Sequence, residues 1–380
     1  MYRCTSFFLV LLFLWQFIGY GYNFSLPLLQ AGTIAENEIT INTPRYYFNS
    51  IPAFLSDVKE VPQYESMIFV GDVLLARNVE FLMRSKSVKY PFSGIYLPEF
   101  GISPAIIGNF EAAVPKEHVP TPVGSINFSV PAESIDYLSK AGFSHMSLAN
   151  NHTFDYGEEG LVHTTAALSN QLVPFGHPNR TKIDSTNIIE VSNQRIALIG
   201  INALSKIDTD DLKEQLSEAS TVSDYQVVFI HWGEEYALRH NDAQTTLAKT
   251  LVTFGADLII GHHPHVVQGV DLIEGVPVFY SLGNYIFDQY FSRDVQEGLV
   301  LSAYFDEVMK INLIPVTSKR SISQPTLMQS EEHSKFLAQL AKKSHPELSD
   351  SISQGYITTD VEIATFDKVA IMLDINKYVQ

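Results

Sequence analysis

A chain of 380 residues that is 46% apolar has the length and core content for one large α/β domain with an appendage, or for two domains. Its formal charge of −17 argues against nucleic acid, which needs a basic face, and an anionic substrate would need a local positive centre such as a metal or a helix N-terminus. The single cysteine, Cys4, rules out a disulfide framework.

Met1 to about Tyr22 reads as an export segment, with Arg3 as its lone basic residue and an apolar core from Phe7 to Ile18. Cleaved signal peptide and uncleaved membrane anchor both fit it. Residues 23–64, carrying Pro, Asn and Ser without periodicity, read as a linker. The body is expected over 65–325, with 326–380 as a helix and strand extension packing on it.

Ser66–Val70 is the first predicted strand, running into Gly71-Asp72-Val-Leu-Leu-Ala-Arg77 and a helix over Asn78–Met83. Asp72 there is a metal ligand or base, or alternatively the cap of that helix. A second strand, Ala105–Ile107, empties into Asn109-Phe-Glu111. Pro131–Ala141 reads as a helix. His145–Ala149 enters Asn150-Asn151-His152-Thr-Phe-Asp155, either a polar cluster built for chemistry or a hydrogen-bonded Asx turn. A helix follows over Gly160–Leu172, then a hairpin or successive strands over Asn187–Glu190 and Arg195–Ile201. Gln226–Ile230 is a strand that delivers His231, and Leu247–Phe254 is a helix.

Leu258–Ile260 is stopped by Gly261 and followed by His262-His263-Pro-His265. On an extended segment, residues two apart face the same way, so His263 and His265 are expected to converge. Val276–Tyr280 is the next strand, ending in Ser281-Leu-Gly-Asn284. The strand–helix alternation predicts a largely parallel sheet covered by helices, with an antiparallel hairpin over Leu299–Phe305 and Met309–Ile314 and a helix over Ser330–Lys343. A terminal strand pair is expected over Val361–Leu373.

Carboxylate, amide and imidazole groups at successive strand exits suit Mn, Fe or Zn. Their order, Asp72, Glu111, Asn151-His152, His231 and His263-Pro-His265, resembles that of the calcineurin-like metallophosphoesterases. More closely, the chain resembles the poly-γ-glutamate capsule biosynthesis (CapA-type) proteins, in Gly71–Arg77, Asn109–Glu111, Ala149–Gly157, His231–Tyr236, Gly261–His265 and Tyr280–Gln289. That resemblance implies a metallophosphatase-like four-layer sandwich with a central, largely parallel sheet and helices outside. It also implies a divalent transition metal, one or two ions, held by Asp72, Glu111, Asn151, His152, His231, His263 and His265. His152, Asp155 and Arg77 are then the catalytic candidates, Arg77 by holding anionic groups.

The implied function is exported, envelope-associated work on an anionic polymer such as polyglutamate, alongside membrane-bound synthesis partners. The alternative is a metal-dependent hydrolase of a phosphoester or amide. Two positions depart from the phosphoesterase pattern: Leu74 stands where a histidine belongs, and Glu111 where an aspartate does. One of the two metal positions is weakened accordingly.

Overall fold

The computed structural model describes residues 63–122, 124–182 and 185–360, all within one compact unit, Val61–Gln380. The expected export segment, nearly all of the expected linker, and the strand pair over Val361–Leu373 lie outside the described residues. Among the described residues no helix is long and apolar enough to cross a membrane.

The strands are β1 (Ser66–Val73), β2 (Pro104–Phe110), β3 (His145–Ser147), β4 (Val173–Phe175), β5 (Asn187–Val191), β6 (Gln194–Asn202), β7 (Tyr225–His231), β8 (Leu258–His262), β9 (Val270–Ile273), β10 (Val276–Phe279), β11 (Asn284–Ile286), β12 (Glu297–Tyr304), β13 (Val308–Thr317), β14 (Thr326–Leu327) and β15 (Tyr356–Asp360). The α-helices are α1 (Arg77–Ser85), α2 (Ile135–Lys140), α3 (Gly157–Ser169), α4 (Thr209–Val222), α5 (Asp242–Thr253), α6 (Ser330–Lys342) and α7 (Ser349–Ser353).

Period-two side-chain alternation sorts these elements into layers. On β1, Met67 and Phe69 enter one apolar cluster while Ile68 and Val70 enter another. On β7, Val227 and Phe229 join the cluster of Met67 and Phe69, and Val228 and Ile230 join a third. Two sheets therefore stack face to face. The second cluster packs the outer face of the β1 sheet against Val79 and Met83 of α1, Leu138 of α2 and Leu161 of α3. The third packs the outer face of the β7 sheet against Leu212 and Leu216 of α4 and Leu251 of α5. The result is the expected four-layer sandwich, with its central layer made of two sheets.

Each sheet is parallel where helical crossovers connect its strands and antiparallel at its margins. The larger runs β14-β13-β12-β1-β2-β3-β4, with β11 also pairing with β1 and β15 with β13. Strands β1 to β4 are parallel, and β12 and β13 form the expected antiparallel hairpin. The smaller runs β5-β6-β7-β8-β10-β9, parallel from β6 to β10. β5 and β6 form the expected hairpin. The crossover through α5 sets His231 beside His262, in register on adjacent strand ends. That helix begins five residues before the expected Leu247, because Asn241 and Gln244 form a reciprocal capping box.

Gly71 shows how closely the segments meet beneath the site. A Cβ built there would lie 1.9 Å from the Gly283 carbonyl oxygen, so only glycine lets the turn before β11 approach β1. That approach places Asn284 on one side of Asp72 and Asn109 on the other, both in register.

Candidate metal centre

Asp72 is fully buried within β1 and does not cap α1, whose N-cap is Ala76. Its Oδ1 accepts from Asn109 Nδ2 at 2.9 Å and lies 3.2 Å from His262 Nδ1. Its Oδ2 accepts from the His263 backbone N–H at 3.3 Å and lies 3.2 Å from His265 Nδ1. Burial works against this carboxylate, but the hydrogen bonds from His262 and His265 prevail and hold its pKa well below the usual range.

Glu111 follows β2, its backbone N–H bonded to the Val73 carbonyl at 3.0 Å. His265 Nε2 and His152 Nε2 face its Oε1 at 3.6 and 3.9 Å. Burial, and then the charge of Asp72, push the Glu111 pKa well above the ordinary range. His231, at the end of β7, sits between the Nδ2 group of Asn109 at 3.3 Å and Asn151 Oδ1 at 2.8 Å. With its proton on Nε2 it donates to Asn151 and turns the Nδ1 lone pair inward. Its ring centroid is 4.8 Å from that of His263. Burial above all, reinforced by neighbouring imidazoles, lowers the pKa of both: well below the usual value for His231, to about 4 for His263.

All seven expected ligands thus meet at one seam, where the strand ends of both sheets face each other. Asn151 stands on its exposed side. Convergence of His263 and His265 has a different cause from the one expected. Neither is extended: their φ angles are +93° and +57°, and their ring centroids are 5.9 Å apart. Pro264 bars the residue before it from the right-handed helical region, and the loop reverses through left-handed conformations, which non-glycine residues adopt only at a cost.

The catalytic candidates lie on the outer rim. His152 Nδ1 contacts Asp155 Oδ2 at 3.0 Å, and the ring stacks on Phe128 at 3.9 Å. Asp155 Oδ2 also accepts from the Phe128 backbone N–H at 2.6 Å, so it positions the imidazole. Arg77 lies over the Phe128 ring at 4.4 Å, but its guanidinium is paired with Asp288. A cavity of about 810 Å³ adjoins this rim, with Arg77, Phe81, Arg84, Tyr236 and Phe291 among its walls. Tyr236 connects it to the centre, its ring 6.1 Å from that of His265.

Sequence reasoning placed Asn109, Asn150, Glu235, His262 and Asn284 in the strand-end motifs but named none of them as a site residue. The available signal was register: the amides that neighbour Asp72 are also strand-end residues of their own segments. Asn284 Oδ1 meets His265 Nδ1 at 3.0 Å, and Asn150 Nδ2 donates to Asn109 Oδ1 at 3.0 Å.

The residues present fit a cation. Glu111 Oε1, His262 Nε2 and His263 Nδ1 are buried without a hydrogen-bond partner among the described residues, and unpaired buried groups of this kind cost about 1–3 kcal/mol each. One ligand atom each from Asp72, Glu111 and His231 falls within 4.8 Å of the others. Two carboxylates and an imidazole make a donor set for Mn, Fe or Zn.

Stacked sheets between helical layers, with carboxylates and imidazoles gathered at the strand ends, define a metallophosphatase-like sandwich. Residues 66–289, more than half of the chain, match the model of the bacterial capsule synthesis protein family PGA_cap, and the chain belongs to that family. It is 28% identical over 316 residues to the PGA biosynthesis protein CapA of Bacillus subtilis (strain 168), covering 78% of this chain and 82% of that protein. Identity with the capsule biosynthesis protein CapA of Bacillus anthracis is 33% over 259 residues, 62% of either chain. A putative 5′-nucleotidase from Staphylococcus aureus, solved in complex with α-ketoglutarate, is similar over 70% of this chain and 55% of its own, with a TM-score of 0.42 and 15% identity.

Proposed function

We propose that this chain acts in the synthesis or export of an anionic envelope polymer of the poly-γ-glutamate type, on the outer side of the membrane and beside membrane-bound partners. The observation that carries this is the buried carboxylate–imidazole cluster beside an 810 Å³ cavity in a chain of charge −17. The arginines on the cavity wall are already matched, Arg77 by Asp288 and Arg84 by Glu80 at 2.6 Å. The positive centre that a polyanion requires is then a divalent ion on Asp72, Glu111 and His231. The CapA relatives, named for capsule and PGA biosynthesis, support the substrate class. Binding of poly-γ-glutamate to full-length protein, with Mn²⁺ and with chelator, tests the reading: retention only with metal is expected, and equal retention in both, or none in either, overturns it. Cell fractionation tests the location, which recovery of the protein in the cytoplasm overturns.

A hydrolytic reading is favoured by His152. When bound, the ion supplies Lewis-acid polarisation of an ester or amide. Asp155 accepts the Nδ1–H of His152 and fixes the ring against Phe128; in its imidazolium form His152 would then present the second proton, on Nε2, to the departing alkoxide or amine and be left as the neutral Nδ1–H imidazole. Hydrolysis of model phosphoesters and γ-glutamyl amides that falls by 100-fold or more in His152→Ala is the expected result. Turnover unchanged by that substitution removes His152 from the chemistry.

A further inference from the structure

Glu235, His263 and His265 form a second trio in which one ligand atom from each lies within 4.8 Å of the others. It shares no residue with Asp72, Glu111 and His231. We propose that this trio holds a second divalent cation, with Glu235 supplying the donor that the chain lacks at Leu74; the inference rests on the metal reading above.

Leu74 cannot serve. It is fully buried in the apolar cluster beneath α1, and its backbone N–H is bonded to the Ile286 carbonyl at 2.8 Å. A donor for that side of the centre must come from another segment, and the loop after β7 is built to bring one. Trp232 is fixed twice, its backbone N–H on the His262 carbonyl at 3.1 Å and its Nε1–H on the Tyr280 carbonyl at 2.8 Å. The chain turns at Gly233, φ +85°, and is fixed again where the Tyr236 N–H meets the Pro264 carbonyl at 2.8 Å. Glu235, between those anchors, is held against the histidine loop. Its neighbour Glu234 is drawn away toward the start of α5, where Asn241 Nδ2 reaches its Oε1 at 3.5 Å.

The histidines show the same purpose. His263 is 7% exposed, its Nδ1 has no partner among the described residues, and its backbone is held in the left-handed region. Packing alone does not explain a strained, buried imidazole with an unpaired nitrogen, whereas a cation at that nitrogen does. Two imidazoles and one carboxylate leave open positions for substrate or water, as in catalytic rather than structural sites. Because Glu235 is exposed while its two partners are buried, this ion lies on the solvent side, so an anionic substrate meets it first.

The test is metal stoichiometry of full-length protein by mass spectrometry and calorimetry, with Mn²⁺ as probe and spin coupling read by electron paramagnetic resonance. Wild type should hold two ions per chain and show a coupled pair. Glu235→Gln should hold one, with the coupled signal lost and the weaker site at least tenfold weaker, while Glu234→Gln retains two. Because Glu235 is exposed, Glu235→Gln should melt with wild type in chelator, which separates lost binding from lost folding. Two ions in Glu235→Gln with unchanged affinity overturns the proposal. One ion in wild type that is lost in Asp72→Asn but kept in Glu235→Gln overturns the second site and leaves the first. No ion in wild type overturns the metal reading itself.

Discussion

Replacing Asn150 by alanine should destabilise the protein more than any exposed substitution in the same loop. Asn150 is fully buried, and every polar position of its amide is used. Nδ2 donates to Asn109 Oδ1 at 3.0 Å and to the Phe110 carbonyl at 2.8 Å. Oδ1 accepts from the backbone N–H groups of His152 and Thr153, each at 3.0 Å, and from Thr153 Oγ1 at 2.9 Å. Truncation to alanine leaves two acceptors and two backbone donors unpaired, while the Thr153 hydroxyl can turn elsewhere. At the low end of the cost of an unpaired buried group, about 1 kcal/mol each, the sum is about 4 kcal/mol. Water entering the vacated space keeps it from reaching the upper end. Urea denaturation in chelator, so that ion binding does not enter, measures the effect directly. A loss under about 1 kcal/mol would show that this amide does not hold the β3 loop.

Gly261→Ala should cost about 3 kcal/mol and weaken metal binding, because the added Cβ would lie 2.0 Å from the Tyr280 carbonyl oxygen and 2.5 Å from Trp232 Nε1; unchanged melting would refute the close packing of β8 on β10. His145 is buried, which lowers its pKa from 6.5 to about 4, against a weaker opposing hydrogen bond to Asn187. The unfolded chain then binds the extra proton between those values, so stability is fully present above pH 6.5 and declines toward pH 4. The decline should be roughly 2–3 kcal/mol by pH 4.5, and His145→Gln should flatten the pH dependence; parallel profiles would refute the assignment. Stripping the metal should lower the melting temperature, and a thousandfold excess of ion over its dissociation constant should restore about 4 kcal/mol; a melting temperature indifferent to both would remove the metal centre.

The fold was legible wherever a strand had both faces buried. Residues 66–70, 226–230 and 258–260 announce themselves as apolar runs because one face meets the other sheet and the other meets helices. What those runs cannot disclose is how many sheets they form, since buried strands of two stacked sheets read the same as those of one. The candidate ligands were legible as strand-exit residues, and the structure brings all seven to one seam. His262 was not, because it ends a strand and its role is set by register with His231 and by its reach to Asp72, 190 positions earlier. Glu235 and Asn284 were missed for a related reason: each is placed by a turn whose position depends on long-range backbone contacts, Tyr236 with Pro264 and Gly71 with Gly283.

The seam between the sheets also sets when the centre can exist. Asp72, Asn109 and Glu111 belong to the larger sheet and its strand ends, and His231 and His262 to the smaller. A folding intermediate with only one sheet formed therefore lacks the donors of the other. Metal uptake at the candidate centre would be confined to the chain in which both sheets have docked, after the slow closure of contacts far apart in sequence. An ion bound there ties the two halves across their dividing plane and must leave before they part. It should act on the unfolding rate more than on the folding rate, so that loaded protein owes its persistence to a barrier as well as to its equilibrium stability.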